Sequence, residues 1–239
     1  MKMKLKRWQT ISAGLLVLAV IAGVLEFKGI IWHNSLFAAK YKVRGIDVSH
    51  YQGKINWQKV ASRGKWRFAY IKATEGKDMT DAYFSSNWEQ ARNEGMLIGA
   101  YHFFTTQSTG AEQAAHFIEV VPNAASTLPP VIDIEISLDK EVRHIQQELT
   151  ALAGQLEQHY KQRPILYVTY DTFNTYIAGS FEDYEIWIRD IVRHPGLRND
   201  RPWIFWQYNN RGHISGIDAY VDFNVFNGDE AEFNARFKS

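Results

Sequence analysis

The chain has 239 residues, enough for one large α/β domain or two small ones, and its 27 Lys and Arg nearly balance its 26 Asp and Glu. This balance gives no broad basic surface, so no nucleic-acid partner is expected. Cysteine is absent, which excludes disulfides, thiolate metal ligands, a cysteine nucleophile and a lipid-modified cysteine.

The first forty residues predict a targeting segment. Basic residues at positions 2, 4, 6 and 7 precede an uncharged apolar stretch at residues 11–25, which is at the short limit for crossing a bilayer. A basic start stays in the cytoplasm and directs the following chain across the inner membrane. We therefore expect a single-pass membrane anchor with the remaining chain in the periplasm.

A cleaved signal peptide that releases a secreted protein stays open as an alternative. Ala38 and Ala39 are small enough for a cleavage site, whereas Leu36 and Phe37 are not. Under either alternative, residues 1–40 form a basic stub, an anchor or signal segment and a short linker. Residues 41–239 contain no linker-like composition and are predicted to form one domain.

From residue 44 onward, apolar segments rich in β-branched and aromatic residues predict eight strands. They cover residues 45–48, 67–74, 96–104, 131–136, 164–170, 185–191, 202–208 and 219–226. Helices are predicted at residues 84–94 before Gly95, at 111–121 before Pro122, and from an N-cap at Ser137 to Tyr160. The last gaps contain Gly and Pro and are too short for crossover helices. Helices after only the first five strands predict an α/β fold, an irregular TIM-like (β/α)5β3 barrel, with its active face at the carboxyl ends of the strands.

The fourth predicted strand carries two acids on one face. Its isoleucines at 132, 134 and 136 alternate with Val131, Asp133 and Glu135. Because the isoleucine face should pack against helices, Asp133 and Glu135 are predicted to point into the barrel near its carboxyl end.

The same alternation places Asp47 on the interior face of the first strand and Asp222 on that of the last strand. These strands are neighbours in a closed barrel, so four carboxylates are predicted to meet at one mouth. Crowded carboxylates raise at least one pKa, which keeps a carboxylic acid protonated for proton donation. Paired carboxylates are what glycoside cleavage uses. A cap or ion-pair role for a single Asp, or a divalent metal on Asp133 and Glu135, remains an alternative.

Motifs of other chemistries are missing from the sequence. It has no Gly-x-Ser-x-Gly, no phosphate-binding Gly loop and no His-Glu-x-x-His. The eight histidines are scattered, and His102 is expected to be structural or to contact substrate. No cofactor and no metal are therefore predicted.

Six segments in chain order resemble the family 25 glycoside hydrolases, the Chalaropsis-type lysozymes. They are RGIDVSHYQG with INW (44–57), YIKATEG (70–76), GAYHFF (99–104), PVIDIE (130–135), WQY (206–208) and VDFNVF (221–226). The resemblance implies a hydrolase that cleaves the β-1,4 bond between N-acetylmuramic acid and N-acetylglucosamine in peptidoglycan strands.

The resemblance also implies roles for individual residues. Glu135 would donate the proton, and Asp133 would act on the substrate acetamido group, with retention of configuration. Asp47 and Asp222 would shape the charge of the catalytic site. Substrate-binding residues implied by the resemblance, for which barrel packing is the alternative, are Tyr101, Tyr167, Trp187 and Gln207.

One departure bears on these roles. The family usually continues Trp-Ile-Ala into an aromatic position, where this chain has Trp187-Ile-Arg189-Asp190. Two other functions therefore stay open, a non-catalytic peptidoglycan-binding barrel and a chitinase-like N-acetylglucosaminidase. Chitinase-type barrels normally carry another Asp where Val131 stands, which disfavours chitin.

Overall fold

The computed structural model describes residues 2–62 and 64–238, with side chains except those of residues 2–7, 9 and 10. Nine strands are formed there: β1 Arg44–Val48, β2 Phe68–Glu75, β3 Met79–Thr80, β4 Leu97–Phe103, β5 Val131–Ile134, β6 Ile165–Val168, β7 Ile186–Arg189, β8 Phe205–Ile214 and β9 Ile217–Phe226. Eight of them match the predicted strands. The two-residue β3 was not predicted, because it is defined only by its antiparallel pairing with the end of β2.

The eight longer strands close into a barrel in the order β1, β2, β4, β5, β6, β7, β8, β9 and back to β1. Neighbouring strands are parallel from β1 to β8, whereas β9 is antiparallel to both β8 and β1. The long β8–β9 hairpin needs no crossover helix, which agrees with the short Gly- and Pro-containing gaps. The barrel predicted from the sequence is confirmed.

Helices cover the outside of the barrel and its amino-terminal end. The α-helices are α1 Lys2–Phe27, α2 Ser35–Ala38, α3 Trp57–Ala61, α4 Phe84–Asn93, α5 Gly110–Val120, α6 Val142–Tyr160, α7 Tyr170–Thr172 and α8 Glu230–Phe237. A π-helical turn, Phe173–Ile177, continues α7, and two 3-10 turns cover His50–Gln52 and Arg198–Asp200. Helices follow each of the five strands for which a crossover was expected.

The start of α6 differs from the prediction. Ser137 does not cap this helix, because Glu141 does so by accepting hydrogen bonds from the backbone N–H groups of Arg143 and His144 at 2.9 and 2.6 Å. The backbone carbonyl of Ser137 instead accepts a hydrogen bond from the Tyr176 hydroxyl. The predicted end of α4 at Gly95 is confirmed to within a residue, and Gly95 adopts the positive φ of 74° that favours glycine.

Two apolar layers hold the barrel together. Outward-facing strand residues such as Ile46, Ile132 and Ile134 pack against the helices. Inside the barrel, aromatic rings fill the amino-terminal half, where Phe233 and Phe237 of α8 close the base. Strand alternation therefore leaves the interior positions at the carboxyl end for other side chains.

The amino-terminal segment divides into an exposed helix and a docked turn. The described side chains of α1 up to Val24 are exposed. Among the described residues, no helix combines the length and apolar character needed to cross a membrane, so the predicted anchor receives no support there. Beyond α1, the Trp32 indole N–H donates to the Tyr208 carbonyl at 2.6 Å, and the buried Asn34 amide donates to the Asp190 carbonyl at 2.8 Å. Part of the predicted linker thus contacts the barrel directly.

Candidate active site

A cleft of about 350 Å³ opens at the carboxyl ends of the strands. All eight residues that the sequence analysis assigned to the site line it: Asp47, Asp133, Glu135, Asp222, Tyr101, Tyr167, Trp187 and Gln207. The predicted meeting of four carboxylates at one mouth is confirmed as geometry. The roles of these residues are a separate question.

Asp47 and Asp222 face each other across the antiparallel pair of β1 and β9. The Asn224 amide donates to Asp47 at 2.7 Å, while its carbonyl oxygen accepts from the Trp187 indole at 2.9 Å. Burial, and secondly the charge of Asp222, raise the pKa of Asp47 well above its usual range. Burial raises the pKa of Asp222 to about 6, opposed by a hydrogen bond from Gln207. The interaction between the two carboxyl groups raises the pKa of Asp47 and opposes the rise in the pKa of Asp222.

Asp133 and Glu135 follow one another on the same side of the barrel but have different surroundings. Asp133 is only 8 % exposed, and its Oδ1 atom has no hydrogen-bond partner among the described residues. Burial raises the pKa of Asp133 well above its usual range, with further contributions from Glu135 and Asp47. The Glu135 side chain is 37 % exposed, and the partial burial of its carboxyl group raises its pKa while Arg189 opposes the rise. One acid is thus enclosed and the other reaches solvent.

Two cations line the cleft, and neither was predicted as a site residue. Lys72 is buried and forms an ion pair with Glu75 at 2.7 Å. Strand alternation could have found Lys72, because it lies two residues after the interior-facing Tyr70. Arg189 approaches Glu135, with 4.0 Å between Nε and Oε1. The sequence marked position 189 only as a departure from the family pattern, since the direction of a long side chain depends on the neighbouring strands.

The other departing residue, Asp190, does not line the cleft. Its carboxylate accepts hydrogen bonds from the Tyr170 hydroxyl and from the backbone N–H groups of Val192 and Arg193. Asp190 therefore stabilises the turn after β7. Only Arg189 of the departing pair changes the chemistry of the cleft.

The aromatic and amide residues of the cleft differ in accessibility. Tyr101 is partly exposed, whereas Trp187 and Gln207 expose only 1 and 3 % of their surface. The Tyr167 hydroxyl donates to Gln207 in a short hydrogen bond. Trp187 and Gln207 thus present little surface to a ligand and support the polar groups in front of them.

His102 lies outside this constellation. It is buried against α5 and hydrogen-bonded to Thr74 and Gln113 at 2.7 and 2.9 Å, and burial lowers its pKa to about 4. His102 therefore has a structural role. Within the described part of the chain, no group of three or more His, Asp or Glu side chains is arranged to hold a metal ion. That the site works without a metal or cofactor stays a prediction.

Comparison with known proteins agrees with this geometry. Residues 46–217 match the family described as glycosyl hydrolases family 25. Lysozyme M1 of Streptomyces globisporus is 36 % identical over 209 residues, which cover 81 % of this chain and 70 % of that protein. A family 25 glycosyl hydrolase from Bacillus anthracis superposes with a TM-score of 0.78 at 41 % identity, covering 82 % of this chain and 94 % of that one.

The bacterial lysozyme from Streptomyces coelicolor superposes with a TM-score of 0.74 at 34 % identity, covering 83 % of this chain and 98 % of that one. The family match, the relatives and the acid-lined barrel mouth lead to one conclusion. The chain belongs to glycosyl hydrolase family 25 and is a glycoside hydrolase of the lysozyme and muramidase type.

Proposed function

We propose that the protein hydrolyses the β-1,4 bond between N-acetylmuramic acid and N-acetylglucosamine in peptidoglycan, with Glu135 as the proton donor and Asp133 as the assisting carboxylate. Membership of a family of lysozymes supports peptidoglycan as the substrate. The observation that carries the mechanism is the contrast between the two acids. Asp133 is enclosed, with an oxygen that has no partner among the described residues, whereas the Glu135 side chain is 37 % exposed.

Glu135 suits proton donation because burial raises its pKa while its carboxyl group still reaches the cleft. A raised pKa keeps a fraction of the side chain protonated near neutral pH, as an acid catalyst requires. In the proposed first step, the Glu135 proton moves to the glycosidic oxygen as the bond from that oxygen to the anomeric carbon breaks.

Asp133 suits a role at the acetamido group of the muramic acid residue. Its free Oδ1 atom can accept the acetamido N–H and orient the acetamido carbonyl oxygen towards the anomeric carbon. That oxygen forms a bond to the anomeric carbon as the leaving group departs, and the resulting cyclic cation is stabilised by the carboxylate. Glu135 then takes a proton from a water molecule as the water oxygen attacks the anomeric carbon. This attack breaks the bond to the acetamido oxygen, opens the cyclic intermediate and gives net retention.

The remaining groups shape the cleft. The raised pKa values of Asp47 and Asp222 favour their protonated forms, which limits the negative charge that the mouth must hold. Tyr101 offers the most accessible of the four predicted substrate-binding side chains, and Tyr167 places its ring beside Gln207. We propose that both tyrosines contact sugar, with Trp187 and Gln207 holding the polar groups behind them.

Analysis of the reducing ends released from purified peptidoglycan tests this function. Reduction of the digest converts each new reducing end into its sugar alcohol, and we expect muramic acid alcohol. Glucosamine alcohol would instead indicate an N-acetylglucosaminidase, and an undigested polymer retained by the protein would indicate the non-catalytic binder. The Glu135→Gln variant is the matched control, because it keeps the shape of the side chain and removes the transferable proton.

We further propose that the domain works outside the cytoplasm, in the periplasm, which its substrate class requires. The basic start and apolar stretch of residues 1–40 support this export. A reporter that is active only in the periplasm should be active when fused after residue 40, and the full chain should fractionate with membranes. Recovery of a soluble form that begins near Lys40 would favour a cleaved signal peptide.

A further inference from the structure

Arg189 stands out in the cleft because its charge lies among the carboxylates while its N–H donors make no hydrogen bond to any described residue. The cleft contains one other lining cation, Lys72, which is buried and committed to Glu75 at 2.7 Å. Arg189 is one-third exposed, its ion pair with Glu135 is long at 4.0 Å, and it donates no hydrogen bond to any residue that the structure describes. Its guanidinium group therefore has free donors that face the space where substrate would lie.

The negative charge around Arg189 indicates which ligand group its unoccupied N–H donors would bind. Four carboxylates line the same mouth and would repel a negatively charged ligand. A guanidinium group presents two parallel N–H donors that fit a carboxylate better than they fit a neutral hydroxyl. The positive charge of Arg189 thus allows a carboxylate-bearing glycan to approach the proton donor. The Ala of the family pattern at this position would give no such attraction.

We propose that Arg189 binds a carboxylate of the substrate and makes the enzyme selective for acidic glycan strands. This inference rests on the proposed function and names the substrate group that the same cleft recognises. Peptidoglycan offers two sources of this group, the lactyl carboxylate of muramic acid in strands without peptide and the carboxylates of the stem peptide. Arg189 acts here as a specificity-determining residue, next to Glu135 but without a part in the proton transfer.

Four soluble oligosaccharides of alternating N-acetylglucosamine and N-acetylmuramic acid separate the two sources. The first pair carries the lactyl group as a free acid or as its methylamide. The second pair carries a stem peptide on the lactyl group, with its carboxylates either free or amidated. We expect the wild type to prefer the acid of at least one pair by roughly 10- to 100-fold in kcat/KM, the range of a charge-assisted hydrogen bond. Arg189→Ala should abolish that preference, and the pair affected identifies the source.

The ratio between paired substrates isolates this effect. Removing Arg189 also changes the charge beside Glu135, but that change acts equally on both members of a pair and cancels. Arg189→Lys keeps the charge without the planar donors and should retain part of the preference. Arg193→Ala is the matched control, because Arg193 is exposed, pairs with Asp190 and does not line the cleft.

The outcomes distinguish this inference from the proposed function. If the wild type cleaves both members of each pair equally well, or Arg189→Ala keeps the wild-type preference, the selectivity of Arg189 is refuted while the hydrolase function stands. If no oligosaccharide is cleaved, the proposed function fails. Titration calorimetry with the same four compounds then decides the inference, which survives only if a binding preference for the acid is lost in Arg189→Ala.

Discussion

The two ends of the barrel interior are built by the same strands yet contain opposite kinds of side chain. At the amino-terminal end, the rings of Phe68, Phe205 and Phe226 pack together and against Phe233 of α8. At the carboxyl end, interior positions of β1, β5 and β9 carry acids that crowd around a cleft. One periodicity thus produces an apolar base and a charged mouth.

The difference between the base and the mouth separates the residues that stabilise the fold from those that carry out the chemistry. Burial of aromatic rings is favourable, so the base contributes to the free energy of folding. Burial of carboxylates is unfavourable unless they take up protons or find partners, and the raised pKa values of the mouth reflect that cost. Substitutions at the base should therefore lower stability, whereas substitutions of the mouth carboxylates should change activity and can raise stability.

The largest effect is expected for Glu135→Gln. Loss of the transferable proton should lower turnover on peptidoglycan by roughly 10²–10⁴-fold, the usual contribution of acid catalysis. Thermal unfolding should be little changed, since the long contact with Arg189 is the one polar side-chain contact of Glu135 within the described part of the chain. Near-native turnover of the purified variant would remove Glu135 from the proposed role.

Phe233→Ala should have the opposite effect. The side chain is fully buried at the base, so its removal should lower the free energy of unfolding by about 3–5 kcal/mol in urea denaturation. Activity per folded molecule should stay at the wild-type level. Phe37→Ala makes the same chemical change at a half-exposed position and is the matched control. Equal destabilisation by both variants would contradict the assignment of the base as a stabilising core.

Asp222→Asn tests the cost of the charged mouth. The pKa of Asp222 is raised from 3.8 to about 6, so the folded state binds more protons than the unfolded state between these values. Stability should therefore fall as pH rises through this window, and stay lower above it. The variant should lessen this fall and gain on the order of 1–3 kcal/mol at pH 8 relative to the wild type.

Urea denaturation at several pH values measures the effect of Asp222→Asn. Asp218→Asn is the matched control, because Asp218 lies on the same strand β9 and is exposed. A stability of Asp222→Asn that runs parallel to the wild type at every pH would show that the mouth carries no such cost.

The smallest effect is expected for Tyr167, which lies between the aromatic base and the acidic mouth. Tyr167→Phe keeps the ring that packs on Trp187 and removes the hydroxyl that donates to Gln207. Loss of one hydrogen bond should cost about 0.5–1.5 kcal/mol of stability. If Tyr167 also contacts sugar as proposed, KM for soluble glycan should rise severalfold in steady-state kinetics. An unchanged KM would restrict Tyr167 to packing.

Much of the division between apolar base and acidic mouth could be predicted from the sequence, because strand alternation depends only on neighbouring residues in the chain. The alternation of Asp133 and Glu135 with isoleucines is sufficient to place both acids in the mouth. Features that depend on distant segments could not be predicted in this way. The docking of Asn34 on the Asp190 carbonyl joins residues 156 positions apart. The cap falls at Glu141 instead of Ser137 because the helix begins only at Val142, and the Ser137 carbonyl accepts a hydrogen bond from Tyr176, 39 positions away.

The division of labour between Asp133 and Glu135 is the central claim, and a series of aryl glycosides with leaving groups of decreasing pKa tests it most directly. A good leaving group needs no protonation, so Glu135→Gln should recover much of its activity as the leaving group improves. Asp133→Asn should remain slow across the whole series, because assistance by the acetamido group is needed whatever the leaving group. Equal recovery of both variants, or recovery of Asp133→Asn alone, would contradict the account.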